Sequence, residues 1–346
     1  GEPTIHPQLM KIVEYAYRQP IDIVMINTNG IRLAHDEELL EQLAALRDRV
    51  EIYLQFDGLD DDVYRRLRGE PQNDIKLRTV ENLGRHGLRT TLVCTLQPDV
   101  NDHQIGRITQ FAIERPWITG VSFQPATYSG RHVLPEQIES RVTFPDVVAA
   151  LVEQTDGLFE ADDFMPLPCA HPNCHTLAYL FRHADGAVPL TRLINFRENF
   201  DLLANGLMFN KPRARQVIEQ LLDRQGCCAD GDCSGEPSKI TMLTRSNAAA
   251  NLSPGRDTHD ADGIVGEFLH RALAEQLSAA DVLRVTITSF LDAYNFDLRR
   301  LMKCCIHHVL PSGHVIPFCA YNVLYREGHV PLPALRTSTG AIPATK

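Results

Sequence analysis

The chain has 346 residues, 44% hydrophobic and 23% charged, a mix that fits a globular protein of about two domains and excludes a disordered, collagen-like or coiled-coil chain. Its 34 Lys+Arg against 44 Asp+Glu give a net charge of −10, which argues against a nucleic-acid binder. No apolar run approaches the roughly 20 residues of a transmembrane segment, and no signal-peptide pattern opens the sequence given.

In chain order, Gly1-Glu2-Pro3-Thr4 precedes a helix with Leu9, Val13 and Ala16 on one face. Ile21–Ile26 is a short β-branched run stopped by the turn residues Thr28-Asn29-Gly30. Leu39, Leu40, Leu43 and Leu46 then have helical spacing, with Asp36 placed as the cap. A strand over Val50–Phe56 ends at Asp57-Gly58, and helices follow near 60–68 and 74–85. Leu88–Leu96 is the third strand, Ile105, Ile108, Phe111 and Ala112 mark a helix, Val121–Gln124 is the fourth strand and Phe144–Gln154 its helix. Strand starts about 30–40 residues apart match βαβ units. They predict an α/β fold, a parallel sheet or partial barrel whose site lies at the carboxyl ends of its strands. Those ends carry Thr28, Asn29, Gln55, Asp57, Thr95, Gln97 and Gln124. No G-x-G-x-x-G follows a strand, so dinucleotide binding has no support. The opening residues read as the end of a strand, so the barrel is expected to lack its first strand or strands and to expose an unpaired edge. We place the barrel at 1–157 and a second region at 158–330, with a loop-rich insertion at 206–260, a strand over Asp281–Phe290 and a tail from Pro331 without fixed structure.

Nine cysteines, an odd and clustered set, fit reduced thiolates on a metal better than a disulfide framework. Cys169 and Cys174 form a C-x4-C in a proline-rich loop. Cys304-Cys305 and Cys319 flank Pro311-Ser312-Gly313, a hairpin signature. A hairpin centred on Ser312 sets Cys305 opposite Cys319, about 5 Å apart at Cβ; a one-residue slip would favour Cys304 instead. Cys169, Cys174, Cys305 and Cys319 can then hold a [4Fe–4S] cluster or a structural zinc ion. Cys227, Cys228 and Cys233 lie in an acidic loop that either binds a further metal or is a poorly ordered insertion, and Cys94 reads as core. His171 and His175 read as loop residues bonded to nearby groups rather than as ligands.

These residues resemble the radical S-adenosylmethionine (SAM) superfamily. Gly1-Glu2-Pro3-Thr4 is similar to the end of its Gly-Gly-Glu motif, and Thr28–Gly30, Leu54–Gly58 and Phe123–Arg131 fall where later strands of its partial (βα)6 TIM-like barrel end. The two cysteine segments resemble the branch containing tetraether lipid synthase and pterin-directed methyltransferases. The defining Cys-x3-Cys-x2-Cys is absent from the 346 residues, so we read the chain as part of a longer protein, inactive alone, whose SAM-cleaving [4Fe–4S] cluster has its ligands elsewhere. The resemblance implies a 5′-deoxyadenosyl radical acting on a C–H bond of a lipid or pterin, with C–C bond formation or methylation as the outcome. Gly1 and Glu2 would bind the methionyl amino group, Gln55 or Asp57 the ribose, and Asn29 and Gln124 would face SAM. The cluster at Cys169, Cys174, Cys305 and Cys319 would be auxiliary, with a reducing partner such as ferredoxin or flavodoxin in the cytoplasm. The alternative is a noncatalytic binding protein stabilised by zinc or an iron–sulfur cluster.

Overall fold

The computed structural model describes residues 1–129, 140–167, 169–184, 186–194, 215–216, 218–220 and 258–335. Four β-branched-rich segments form its parallel heart: β1 (Val24–Thr28), β2 (Val50–Gln55), β3 (Thr90–Leu96) and β4 (Ile118–Pro125). Ile26 lies opposite Ile52, Leu54 opposite Leu92 and Cys94 opposite Phe123. The next segments are β5 (Met165–Pro166), β6 (His175–His183), β7 (Gly186–Pro189) and β8 (Val282–Thr288). The sheet order is β1-β2-β3-β4-β8-β6-β5, with β7 on β6. β8 is therefore a fifth parallel strand, and β6 returns antiparallel to it. The sheet does not close among the described residues, and it runs across the boundary expected at 157/158.

Helices cover the outer face because their apolar residues recur at helical spacing. α1 (Leu9–Tyr17) brings Leu9 and Val13, and α2 (Glu37–Ala44) brings Leu39, Leu40 and Leu43. α3 (Asp61–Arg68) and α4 (Asn73–Arg85) bring Val63 and Tyr64, then Val80 and Leu83. α5 (Ile105–Ile113) and α6 (Phe144–Gln154) bring Ile108, Ala112, Val147 and Leu151. Most of these side chains pack with Ile52, Leu54, Leu92, Phe123 and Val285 in one core. Asp36 caps α2 by accepting Leu39 N–H at 2.9 Å, as its position predicts. α5 and α6 approach so closely that a Cβ on Gly106 would lie 2.1 Å from the Gln154 carbonyl oxygen. A second core joins Phe181 and Val188 to Phe268 and Leu269 of α7 (Thr258–Leu273).

The first strand sits three residues later than its apolar run predicts. The Arg49 guanidinium takes the carbonyl oxygens of Gln19 and Ile21, and Val24 N–H bonds to Arg49 O, so the ladder starts at Val24. β4 is longer than its apolar core, running from Ile118 to Pro125. The expected insertion at 206–260 falls almost wholly outside the described residues, as do Cys227, Cys228, Cys233 and the tail beyond 335. Among the described residues no helix is long and apolar enough to cross a membrane.

Candidate cofactor site and thiol cluster

At the carboxyl end of the sheet, the Glu2 carboxylate accepts four hydrogen bonds. Its Oε1 accepts from Thr4 N (3.0 Å), Thr4 Oγ1 (2.6 Å) and Thr28 Oγ1 (2.6 Å), and its Oε2 accepts from Asn29 N (2.7 Å). Partial burial alone would raise its pKa, but these four donors outweigh it and hold the value below the usual range. The group stays ionised, and a carboxylate with about four lone-pair sites keeps one free on Oε2. Glu2 borders a cavity of about 580 Å³ that runs along β1 and is also lined by Gly1, Asn29 and Gln55. Four of the six cofactor residues read from the sequence are thus brought together, in a space of the size that takes a nucleoside-sized ligand. The cavity continues between Ile12 and Val13 of α1 and the edge strand β1, where Ile12 and Met25 are exposed.

The other two lie apart from that cavity. Asp57 is fully buried, and its oxygens accept Arg68 Nε at 2.8 Å and Nη2 at 3.0 Å, Thr95 N at 3.0 Å, and the Gln55 amide. Its carboxylate is spent within the protein. Gln124 donates to the Tyr53 hydroxyl at 3.0 Å, and Tyr53 donates to Ser122 Oγ at 3.0 Å. Burial raises the Tyr53 pKa, so the phenol stays protonated. This polar row lies on the face of β2 and β4 opposite the helix-packed core.

Lys76, which the sequence reading passed over, ties two of the cavity residues together. It has no exposed surface, and its ammonium donates to Asn29 O at 2.5 Å and Gln55 Oε1 at 3.2 Å. Burial lowers its pKa to about 8, with Arg68 adding to the fall while Asp57 and Glu2 oppose it. Its signal was its phase: Lys76 lies on the same helical stripe as Thr79, Val80 and Leu83.

The cysteines gather at the far side of the sheet. β6 starts directly after Cys174, and Ser289 N–H, just past β8, bonds to Cys174 O at 2.9 Å. The hairpin of β9 (His307–Val309) and β10 (Val315–Pro317) pairs Val309 with Val315 and His307 with Pro317, which centres it on Ser312 as the sequence predicts. The ladder stops there, because Phe318–Ala320 turns helical. Cys304, Cys305 and Cys319 therefore lie outside it, and strand alternation does not separate Cys304 from Cys305. Cys174, Cys304, Cys305 and Cys319 all line one cavity of about 20 Å³ with His175 and Ser289. Cys169 reaches Cys305 from outside, a thiol–thiol contact. Burial, then the Cys169 and Cys304 thiols, raises the Cys305 pKa, and burial raises that of Cys319.

Among the described residues no three Cys, His, Asp or Glu converge tightly enough for a single ion. An iron–sulfur cube spreads its ligands wider than one ion does, and an all-sulfur donor set is the kind it takes. Cys169, Cys174, Cys305 and Cys319 could hold such a group, with Cys304 as a fifth thiol. His171 and His175 are engaged otherwise: His171 Nδ1 accepts Asn173 N–H at 3.2 Å, and His175 Nδ1 pairs with Thr288 Oγ1 at 3.0 Å.

Residues 1–112 match the radical SAM superfamily. Over 353 aligned residues, 94% of this chain and 66% of the relative, the sequence is 31% identical to 7,8-dihydro-6-hydroxymethylpterin dimethyltransferase of Methanocaldococcus jannaschii. It is 33% identical over 98 residues to mycofactocin maturase MftC of Mycobacterium tuberculosis, and 29% identical over 112 residues to that of Mycolicibacterium smegmatis. Those stretches cover 28% and 32% of this chain, and 24% and 27% of the relatives. The chain thus spans just under two thirds of the methanogen protein and about a quarter of the maturases.

Proposed function

Because the chain belongs to the radical SAM superfamily, we propose that it forms part of an enzyme that binds SAM at Glu2 and performs radical chemistry on a pterin. The observation that carries this reading is the Glu2 carboxylate, kept ionised by four donors at the border of a cavity of about 580 Å³. When bound, SAM and its cleaving [4Fe–4S] cluster supply a 5′-deoxyadenosyl radical that takes hydrogen from carbon. No Cys-x3-Cys-x2-Cys occurs in the 346 residues.

The residues of this chain bind and orient. Glu2 accepts from the methionyl ammonium through the free site on Oε2, beside the Gly1 backbone. Asn29 is clamped by Glu2 on its N–H and Lys76 on its carbonyl, which fixes the turn against SAM. Gln55 contacts the ribose, whereas Asp57 holds Arg68 and the ends of β2 and β3 in place. The Gln124-Tyr53-Ser122 row offers a pterin hydrogen-bonding groups without a charge. Cys169, Cys174, Cys305 and Cys319 would hold an auxiliary [4Fe–4S] cluster, which would supply one-electron transfer with a ferredoxin- or flavodoxin-like partner in the cytoplasm.

The pterin is preferred to a lipid because the relative that aligns with 94% of the chain is named for one. The test pairs this chain with a Cys-x3-Cys-x2-Cys segment and incubates the protein anaerobically with SAM, a reductant and 7,8-dihydro-6-hydroxymethylpterin. Methylated pterin with 5′-deoxyadenosine is expected; 5′-deoxyadenosine with unchanged pterin would retain the radical chemistry and overturn the substrate. Anaerobic reconstitution of the present chain should load about four irons, lost in Cys169→Ala and Cys319→Ala; unchanged iron in those variants would overturn the auxiliary site.

A further inference from the structure

Arg300 lies in a short helix, α8 (Leu298–Met302), next to the thiols, and is only 8% exposed. Its Nε is 3.4 Å from Cys174 Sγ, and its Nη2 donates to Ser289 O at 2.5 Å. The nearest acidic residue in sequence, Asp297, is turned to cap Arg299 N–H at 2.8 Å. Among the described residues no Asp or Glu lies within ion-pair distance of Arg300, whereas the guanidiniums of Arg141 and Arg192 reach carboxylates and that of Arg182 is ringed by backbone carbonyl oxygens. A guanidinium carries its charge at every accessible pH, and burying it without a counter-charge is costly. Its nearest partners, Cys174 Sγ and Ser289 O, are a sulfur and a carbonyl oxygen, and neither is a carboxylate. A second donor points the same way: Leu291 N–H approaches Cys319 Sγ at 3.3 Å.

We propose that Arg300 is a positioning residue that supplies the counter-charge to an anionic four-thiolate cluster and sets its reduction potential through Cys174. The inference rests on the auxiliary-cluster reading above. A cluster held by four thiolates is an anion in both oxidation states and gains one more negative charge on one-electron reduction. A fixed cation against one ligand sulfur, with an N–H directed at it, stabilises the reduced state more than the oxidised one and so raises the potential. The same contact ties Cys174 to Ser289, so the guanidinium braces the ligand against the end of β8.

The test uses the full 346-residue chain, reconstituted anaerobically with iron and sulfide, and reads the midpoint potential by redox titration followed by electron paramagnetic resonance. Arg300→Gln should load the same iron and have a lower midpoint; Arg300→Lys, which keeps the charge but not the two-armed geometry, should fall between it and the wild type. Should Arg300→Gln load no iron, Arg300→Lys carries the comparison. A thermal-unfolding readout separates this role from simple packing. In iron-free protein Arg300→Gln should be more stable than wild type, because an unpaired buried charge is gone, whereas in loaded protein the order should reverse. Wild-type protein that binds no iron would overturn the cluster and this role with it. Loaded variants with the wild-type midpoint, or the same order of stability with and without iron, would overturn the role of Arg300 alone.

Discussion

Replacing Lys76 with methionine keeps the length of the apolar stem and removes a buried ammonium. In the folded protein burial holds that ammonium's pKa at about 8, against about 10.5 in the unfolded chain. Because the folded pKa is depressed, the unfolded chain binds more protons between about pH 8 and pH 10.5, and wild-type stability gains with pH across that window. At about 1.4 kcal/mol per pH unit the gain approaches about 3 kcal/mol, and Lys76→Met lacks it. The variant also orphans Asn29 O and Gln55 Oε1, at about 1–3 kcal/mol each if they stay dry. That loss offsets the two stability curves but does not make them diverge. Thiol and tyrosine ionisation in the same window is common to both proteins and cancels in the difference. Urea unfolding under reducing, anaerobic conditions at pH 7, 8.5 and 10 reads it directly. The wild type should gain on the variant by about 2–3 kcal/mol between the extremes; parallel curves would refute the buried, charge-destabilised ammonium.

Glu2→Gln removes the ionised acceptor for the methionyl ammonium and should weaken SAM binding in full-length protein about 10- to 100-fold, the worth of one hydrogen bond to a charged group. Equilibrium dialysis against labelled SAM measures this, and unchanged affinity would take Glu2 out of the site. Asp57→Asn strips Arg68 of a bidentate partner that is itself fully buried; with Arg68 one-third exposed, a loss of about 3 kcal/mol is expected in urea unfolding. Gly106→Ala drives a methyl group into the Gln154 backbone. It should cost about 1–3 kcal/mol by forcing α5 from α6, and an unchanged midpoint of unfolding would refute that packing.

The repeating strand–helix pattern was open to reading because each parallel strand is a short apolar run and each covering helix keeps its stripe, as in Val50–Gln55 followed by Val63, Tyr64, Val80 and Leu83. The fifth parallel strand was read as a strand, but its place beside β4 was not, since nothing local in Val282–Thr288 names its neighbour. The hairpin centre followed from Pro311-Ser312-Gly313, while the helical turn at Phe318 that takes Cys319 out of the ladder opens directly behind Pro317, a breaker that the hairpin reading left inside the strand. Asn29 and Gln55 stood out because turns put polar groups at strand ends, and Gly1 and Glu2 because Gly1-Glu2-Pro3-Thr4 resembles a motif end; the structure lines one cavity with all four. Asp57 sits at such an end too, yet its role depends on Arg68, eleven residues on and one helix away. Lys76 and Arg300 share one reason for being missed: charged side chains are read as solvated unless their helical phase is checked.

The insertion of β8 between β4 and β6 has a consequence for synthesis. About 160 residues separate the end of β4 from the start of β8, so at roughly 5–20 residues per second the ribosome takes about ten to thirty seconds to deliver the partner of β4. Throughout that interval the growing chain exposes the backbone edge of an apolar strand, ITGVSFQP, to other nascent chains. β6 is made early but cannot take its place until β8 lies between them. Slow, cool expression with an available holdase should therefore raise the yield of folded protein more than any change at the thiols.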